Sequence, residues 1–591
     1  MLHAGLDNAA IVDMVGQMCE LQRHGGPDDG GLFAEEAIHL VLGNRRLALQ
    51  DLSRAGHQPM QYLGNQITYN GEVYNFPELR EELKLAGHTF HTHTDTEVIL
   101  AAYSQWGVQA FSRFKGMFAF ALWDAGAKEL LLVRDAAGIK PLYYSSHSEG
   151  ISFASEIKAF QPLKEGREAN PNWPVYQLAF GHLPEPVSTL KQVQSLPKGC
   201  FLKYHAPAKS LTLQSFRHYS FSNSIGEKET AVEQIRATLN KSVKRHMIAD
   251  APLGVFLSGG LDSSIVTKIA AEAKQENLNS LSIYFSEDAY SEKRYQDLLL
   301  ENTHCKPNQF LLEEHDFQSA FPTILKAMDQ PSCDGINTWF ISKHARELGL
   351  KAVLSGIGAD ELFGGYPSFK RMGLAFAMQR CPSQLLGLGQ KSGIRQFNRL
   401  SYLKMDGVKG LYLFLRGHFT PREIATQLGG SEKEIWQILD ASPVLQDISN
   451  LSMKNQASWM EINLYLQNQL LRDADCMGMA HGVEIRVPFL DDDFISLAHH
   501  ISPGIKFGGE RPKQLLIDAY QDSLPAAIWN RPKMGFSFPF SPWLSKSEFV
   551  KALMDNADQP TRDNYKNFLQ GKLHWSRLMS LIILKSGIHA V

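Results

Sequence analysis

Along the first third of the chain, apolar residues come in short runs separated by turn residues: "IHLVLGNRRLAL", "NQITYNGEVYN", "GMFAFALWD", "ELLLVRDAAG", "PLYYSS" and "GISFASE". Runs this short, rich in Val, Ile, Phe and Tyr and bounded by Gly, Asn and Asp, predict strands of a β-rich layered domain. Two stretches break the pattern. "FPELREELKLAG" and "DTEVILAAYSQWG" place apolar residues three and four apart and end on a glycine positioned to close a helix. The opening "MLHAGLDN" reads as the end of a strand and its turn, with "AAIVDMVGQM" starting a helix.

From Lys203 to Lys228 the chain turns polar and irregular, which predicts a boundary: a first domain over 1–205, a linker over 206–228 and a second domain over 229–591. Beyond it the period changes. "TAVEQIRATLNKSVKRHM" is an amphipathic helix, and the strands "LGVFL", "NSLSIYF" and "KAVLS" then alternate with helical stretches, as in a parallel α/β sheet. From about Gln379 the pattern is mostly helical.

Length and composition agree with this division. At 591 residues the chain exceeds what one core supports, and 44% hydrophobic with 20% charged residues describes a folding, globular chain. The net charge of -3 is small and the basic residues are dispersed, so nothing suggests nucleic-acid binding. No apolar run approaches the roughly 20 residues needed to cross a bilayer and no signal-peptide pattern opens the chain, so a cytoplasmic, membrane-free protein is the expectation. The six cysteines lack C-x-x-C or histidine spacing, which points to neither disulfides nor zinc and reads, for most, as buried free thiols.

The chemistry concentrates in "LGVFLSGGLDSSIVTKIAAEA". An apolar strand ends at Leu257, a turn of Ser258, Gly259, Gly260, Leu261, Asp262, Ser263 and Ser264 follows, and a helix begins. Glycines admit close backbone approach, and exposed N–H groups at a helix start attract an anion. This turn has no Walker lysine and instead holds Asp262, which would repel a phosphate unless a divalent cation such as Mg²⁺ lay between them. A second strand ends in "VLSGIGADELFGGY", another glycine turn carrying Asp360 and Glu361. An isolated pair of carboxylates on a turn is as often a capping or surface feature as a ligand.

"SGGLDSS" resembles the pyrophosphate loop of the N-type ATP pyrophosphatases. With "GPDDGG", "NGEVYN", "DTEVILAAY", "FAFALWD", "RDAAGIKPLYY", "FASEIKA", "LPKG", "SGIGADELFGGYPSF", "MGMAHGVEIRVPFLD" and "RPKMGFSFP" in order over nearly the whole chain, the sequence resembles the glutamine-dependent asparagine synthetase family. The resemblance implies an α/β multi-domain fold: an N-terminal αββα layered domain like the N-terminal-nucleophile hydrolases, and a C-terminal parallel-sheet ATP-pyrophosphatase domain with a helical extension. It also implies ATP and Mg²⁺, with glutamine and an acid, aspartate in the first instance, as partners, and a homodimer.

For the synthetase site the resemblance implies that Ser258, Gly259, Gly260, Asp262, Ser263 and Ser264 hold the triphosphate. Leu257, Ile283, Ser355 and Gly356 would form the adenine slot, Asp262 and Asp360 would hold magnesium, and Asp360, Glu361 and Lys533 would take part in catalysis. Lys533, in "RPKMGFSFP", would offset charge developing on the reacting phosphate. Arg486 and Glu484 read at least as well as a structural ion pair. Asparagine-making members carry a glutamate where this chain has Ile357, which opens the acceptor to other acids, such as a sugar uronate.

For the glutamine site the resemblance implies Arg46 on the substrate carboxylate, Asp95 and Glu72 at its ammonium, and Asn70 with the Gly71 amide as an oxyanion hole. The family's nucleophile is a cysteine directly after the initiator methionine, and here the second residue is Leu2. Cys19 lies in an apparent helix and is no substitute. Gly25 also stands where the family has an arginine. The expectation is that about six residues are missing from the front, and that the chain as given makes product from ammonia without hydrolysing glutamine. The alternatives are an ammonia-only enzyme and a ring-closing synthetase.

Overall fold

The computed structural model describes residues 1–591 except 164–165, 275–277, 382–385, 387–397, 406, 442–445, 533–537 and 589–591. The run "GMFAFALWD" forms strand β6 (Gly116–Asp124), in which Ala119, Ala121 and Trp123 alternate with Phe118, Phe120 and Leu122, all of them buried. A strand apolar on both faces needs cover on both sides. β6 sits inside an antiparallel six-stranded sheet of order β12 (Ser210–Ser215), β11 (Cys200–His205), β7 (Glu129–Arg134), β6, β5 (Asn65–Val73) and β4 (Met60–Tyr62). Its alanine face packs on a second antiparallel sheet of order β10 (Gln194–Ser195), β8 (Tyr143–His147), β9 (Gly150–Ala154), β1 (Leu2–His3), β3 (Leu40–Arg46) and β2 (Asp29–Glu35). Helices Phe76–Leu85 and Asp95–Trp106 cover the first sheet's outer face and helix Asn8–Leu21 covers the second's, which completes the αββα sandwich.

The second half is built on a five-stranded parallel sheet of order β15 (Lys306–Leu312), β14 (Asn279–Phe285), β13 (Leu253–Phe256), β16 (Ala352–Leu354) and β17 (Glu484–Arg486). β13 and β16 are adjacent, so the two glycine turns that follow them open side by side at the carboxyl edge, where parallel sheets bind ligands. The remainder is largely helical, and helix Trp173–Phe180 from the first half packs into that helical core through Phe180 and Tyr412. The halves share one apolar core in which Leu49, Tyr74, Met117 and Ile139 meet Leu239, Val255, Leu466 and Val487.

Three features differ from the sequence reading. The expected linker 206–228 contains β12, which is hydrogen-bonded to β11 along its whole length, so the first sheet runs past residue 205. Every residue of β12 is exposed, and an edge strand with one partner and two wet faces carries no apolar period. β2, "DGGLFAE", was hidden for the same reason. All six cysteines are free, but only Cys305 and Cys333 are buried, the others being partly exposed. No helix among the described residues is long and apolar enough to cross a membrane.

Candidate functional site

β13 delivers the chain to the loop Leu257–Gly260, and helix Leu261–Lys274 leads away from it. Gly259 takes φ 91°, a conformation in which a side chain would be strained. The loop is tied by its own hydroxyls: Ser263 Oγ donates to the Gly260 carbonyl (3.1 Å) and accepts from the Ser258 amide (3.2 Å), and the Gly260 amide donates to Ser258 Oγ (3.3 Å). The neighbouring turn comes close enough that a Cβ on Gly356 would stand 2.8 Å from the Ser263 nitrogen. Only glycine fits there.

Between these turns lies a cleft of about 630 Å³, within the range of small-molecule sites. Leu257, Ser258, Gly260, Asp262, Ser263, Ile283, Ser355, Gly356, Asp360 and Glu361 line it, as does Ile357. Two of the expected residues do not line it. Ser264 is wholly buried in the first turn of the helix, its amide on the Gly260 carbonyl (3.0 Å), and the Gly259 carbonyl accepts from Arg531 (2.9 Å). Lys533 lies outside the described residues.

Asp262 and Asp360 converge on one cation. The Lys513 ammonium stands 2.7 Å from Asp262 Oδ2 and 2.8 Å from Asp360 Oδ1, and the two carboxylates hold its pKa above the ordinary lysine range. Gly365 makes room for this, because a Cβ there would collide with the Asp360 carboxylate. Glu361 is of another kind. Burial, reinforced by Asp360, pushes its carboxyl up to about 8, and Tyr366 Oη donates to it at 2.7 Å.

Sequence reasoning missed Lys513 and Arg531, both of which line the cleft. Arg531 bonds the Gly259 carbonyl, pairs with the buried Glu292 (2.6 Å) and lies 3.7 Å from the Tyr295 ring centroid, holding the outer wall against the loop. A signal was present: the tripeptide Arg-Pro-Lys occurs at 511–513 and again at 531–533.

In the first half, Arg46, Asn70, Gly71, Glu72 and Asp95 line one small cavity of about 80 Å³, joined by Gly25, Gln50 and Met479. Gly71 takes φ 135° where β5 crosses β6. Asp95 accepts from Tyr69 Oη (2.7 Å) and the Val73 amide (2.9 Å), while burial outweighs these bonds and raises its carboxyl to about 6. Burial also pushes Glu72 well above the carboxylate range. The Arg46 guanidinium differs from expectation in what it holds: it donates to the carbonyls of Ser53 (3.1 Å), Gln50 (2.9 Å) and Asp51 (2.6 Å), fixing the loop at the cavity edge. No cysteine lines this cavity among the described residues. Cys19 borders a neighbouring one, with its thiol pushed up by burial and so remote from a reactive thiolate.

Arg486 and Glu484 form a buried structural pair (2.9 Å), as their sequence setting allowed. The network is wider than a pair. Lys140, from the first half, reaches Glu484 (3.2 Å) and Asp475 (3.1 Å), and Arg486 Nη2 stands 3.5 Å from Glu72 in the small cavity. The Arg486 carbonyl meanwhile accepts from the Ser355 amide (2.8 Å) at the larger cleft between the two glycine turns. One residue therefore touches the walls of both sites.

Comparison with known proteins matches two families along the chain. The sequence profile of a family described as "Asparagine synthase" matches residues 234–576, and that of a "Glutamine amidotransferase domain" matches residues 3–217. A protein of Bacillus subtilis (strain 168) named "Asparagine synthetase [glutamine-hydrolyzing] 1" is 30% identical over 566 residues, covering 92% of this chain and 87% of that protein. A "Putative asparagine synthetase [glutamine-hydrolyzing]" of Mycobacterium tuberculosis (strain ATCC 25618 / H37Rv) is 31% identical over 582 residues, covering 93% and 87% respectively. "Amidase chry2" of Gibberella zeae is 25% identical, covering 91% of this chain and 86% of that protein.

Proposed function

The chain belongs to the asparagine synthase family and carries a glutamine amidotransferase domain, and from that premise we propose that it spends ATP to activate a carboxylate as an acyl-adenylate and captures it with ammonia. The acceptor in the first reading is the β-carboxylate of aspartate, and the products are asparagine, AMP and pyrophosphate. The observation that carries this reading is the convergence of Asp262, Asp360 and Lys513 beside the Ser258–Ser263 loop. Two carboxylates and a cation at a loop of that kind suit a metal-bound polyphosphate.

The donor set fits a divalent ion, because two carboxylates from adjacent strand ends already hold a single positive charge between them. Asp262 and Asp360 would hold Mg²⁺, which when bound screens phosphate charge and polarises the α-phosphoryl group. Among the described residues no three His, Cys, Asp or Glu side chains group as a metal site, so such an ion would draw its other ligands from phosphate and water. Ser258, Gly260 and Ser263 would cradle the phosphates, Leu257 and Ile283 would face the adenine, and Ser355 and Gly356 would close the slot. Lys513 would neutralise charge on the departing pyrophosphate, alongside Lys533. Arg46, Asn70, Gly71, Glu72 and Asp95 are assigned to glutamine, whose amide nitrogen is the ammonia source in this reading.

Ile357 favours a second reading within the same chemistry. It lines the cleft next to Glu361 with an apolar side chain that can neither accept a proton nor order water, so the acceptor is an acid other than aspartate, such as a sugar uronate. ATP–pyrophosphate exchange separates the two. Exchange dependent on aspartate supports the first, exchange with a uronate but not aspartate supports the second, and exchange with no acid at all refutes both.

A further inference from the structure

Behind Tyr366 lies a second large cavity, of about 580 Å³, that the reaction described above does not use. Four guanidinium groups line it: Arg371, Arg399, Arg416 and Arg577. Their compensation is incomplete. Arg577 pairs with Glu423 (2.8 Å) and Arg416 pairs with Glu461 (2.7 Å), whereas among the described residues Arg399 donates only to the carbonyls of Leu415 (3.4 Å) and Gly417 (3.3 Å). Arg371 is exposed and has no carboxylate partner among the described residues. Two positive charges are left facing one space.

The surroundings add to that field. The cavity touches the first turns of helices Pro367–Gln379, Pro421–Leu428 and Trp575–Lys585, so the positive ends of three helix dipoles lie at it, the second one capped by Glu423. Neighbouring groups register it: burial, then Arg371 and Arg577, lowers Arg399, and burial with Arg577, His574, Arg399 and Arg416 drives His418 down to about 3. Like charges gathered without counter-charges cost free energy unless a ligand supplies them.

We propose that this cavity is an anion site for a small molecule bearing a dianionic group, a phosphate monoester or a pair of carboxylates, held by Arg371 and Arg399 with Arg577 and Arg416 fixed beside them. Planar guanidinium forks match both groups. The volume of about 580 Å³ leaves room beside a bound dianion for the rest of a larger organic molecule. The site is separated from the ATP cleft by one side chain: Tyr366 lines both, donating to Glu361 on one side while Arg416 lies over its ring at 4.6 Å on the other.

The test is calorimetric titration of the whole chain with inorganic phosphate and with citrate. Mg²⁺ and an ATP analogue blocked between the α and β phosphates are held at saturation so that the phosphate loop is occupied. The expected result is one site in the wild type, weakened roughly tenfold by Arg399→Gln and by the surface change Arg371→Gln. The remote exposed Arg346→Gln should leave it unchanged. Absence of binding by both probes, or equal binding by wild type and Arg371→Gln, overturns the proposal. Competition between phosphate and the acid identified by exchange assigns the dianion to the acceptor's own far end. Simultaneous binding assigns it to a separate effector, and either result sustains the site.

Discussion

Replacing Glu361 by glutamine is expected to stabilise the protein at neutral pH, by a margin that widens as pH rises. Burial and Asp360 lift the carboxyl from its ordinary 4.5 to about 8 in the fold. Between those values the unfolded chain has lost the proton while the folded chain keeps it, so the wild type's stability falls as pH climbs from 4.5 through about 8 and is level outside that window. Each pH unit is worth about 1.4 kcal/mol, which gives about 3 kcal/mol at pH 7 and roughly 5 kcal/mol at pH 8. Glutamine does not titrate, has nearly the same shape, and still offers an oxygen to the Tyr366 hydroxyl. Denaturation midpoints of the two proteins, followed by tryptophan fluorescence at pH 5, 6, 7 and 8 without nucleotide, read the difference directly. A margin constant across that range, or a wild type more stable than the variant at pH 8, would show that Glu361 is ionised in the fold and refute the reasoning.

Lys513→Met leaves Asp262 and Asp360 facing each other, which is expected to cost about 3–5 kcal/mol and to lower the melting temperature. Added Mg²⁺ should restore part of that loss, whereas no recovery would count against a divalent site, and pyrophosphate exchange should drop on the order of 10²–10³-fold. Arg486→Met leaves Glu484 with Lys140 as its cation and is expected to lower the melting temperature more at pH 8 than at pH 5, since at pH 5 a buried carboxyl deprived of its guanidinium can take up a proton; an equal drop at both would point to lost packing instead.

The strands with the strongest apolar signal were the legible ones. β5, β6 and β7 are covered on both faces and announce themselves, while β2, β12 and β15 are edges, where half-exposed positions blur any period. The Ser258–Ser264 turn was readable because its glycines and serines are nearly consecutive. Lys513 was not, because its partners Asp262 and Asp360 lie far away in sequence and a lysine in a polar loop looks like any other until the fold closes around it. Arg46 lines the same cavity as Asn70, Gly71, Glu72 and Asp95, and its bonds to the carbonyls of Gln50, Asp51 and Ser53 were not legible, since residue type says that a guanidinium will bind oxygen and not which oxygen. Arg486 shows the opposite limit: an ion pair with Glu484 two residues away could be guessed, its reach to Glu72 could not.

That reach bears on how this chain could be divided or engineered. The three residues of β17 form the last strand of the parallel sheet and, through Arg486, grip the other half of the molecule. Cutting the chain between its halves would expose Val487 and Leu466 on one side and Tyr74, Met117 and Ile139 on the other. It would also leave Arg486 and Lys140 without part of their counter-charge. The synthetase half is therefore a poor candidate for a free-standing catalyst or for grafting onto another ammonia source, and new acceptors are better sought by reshaping Ile357 and its surroundings within the intact chain.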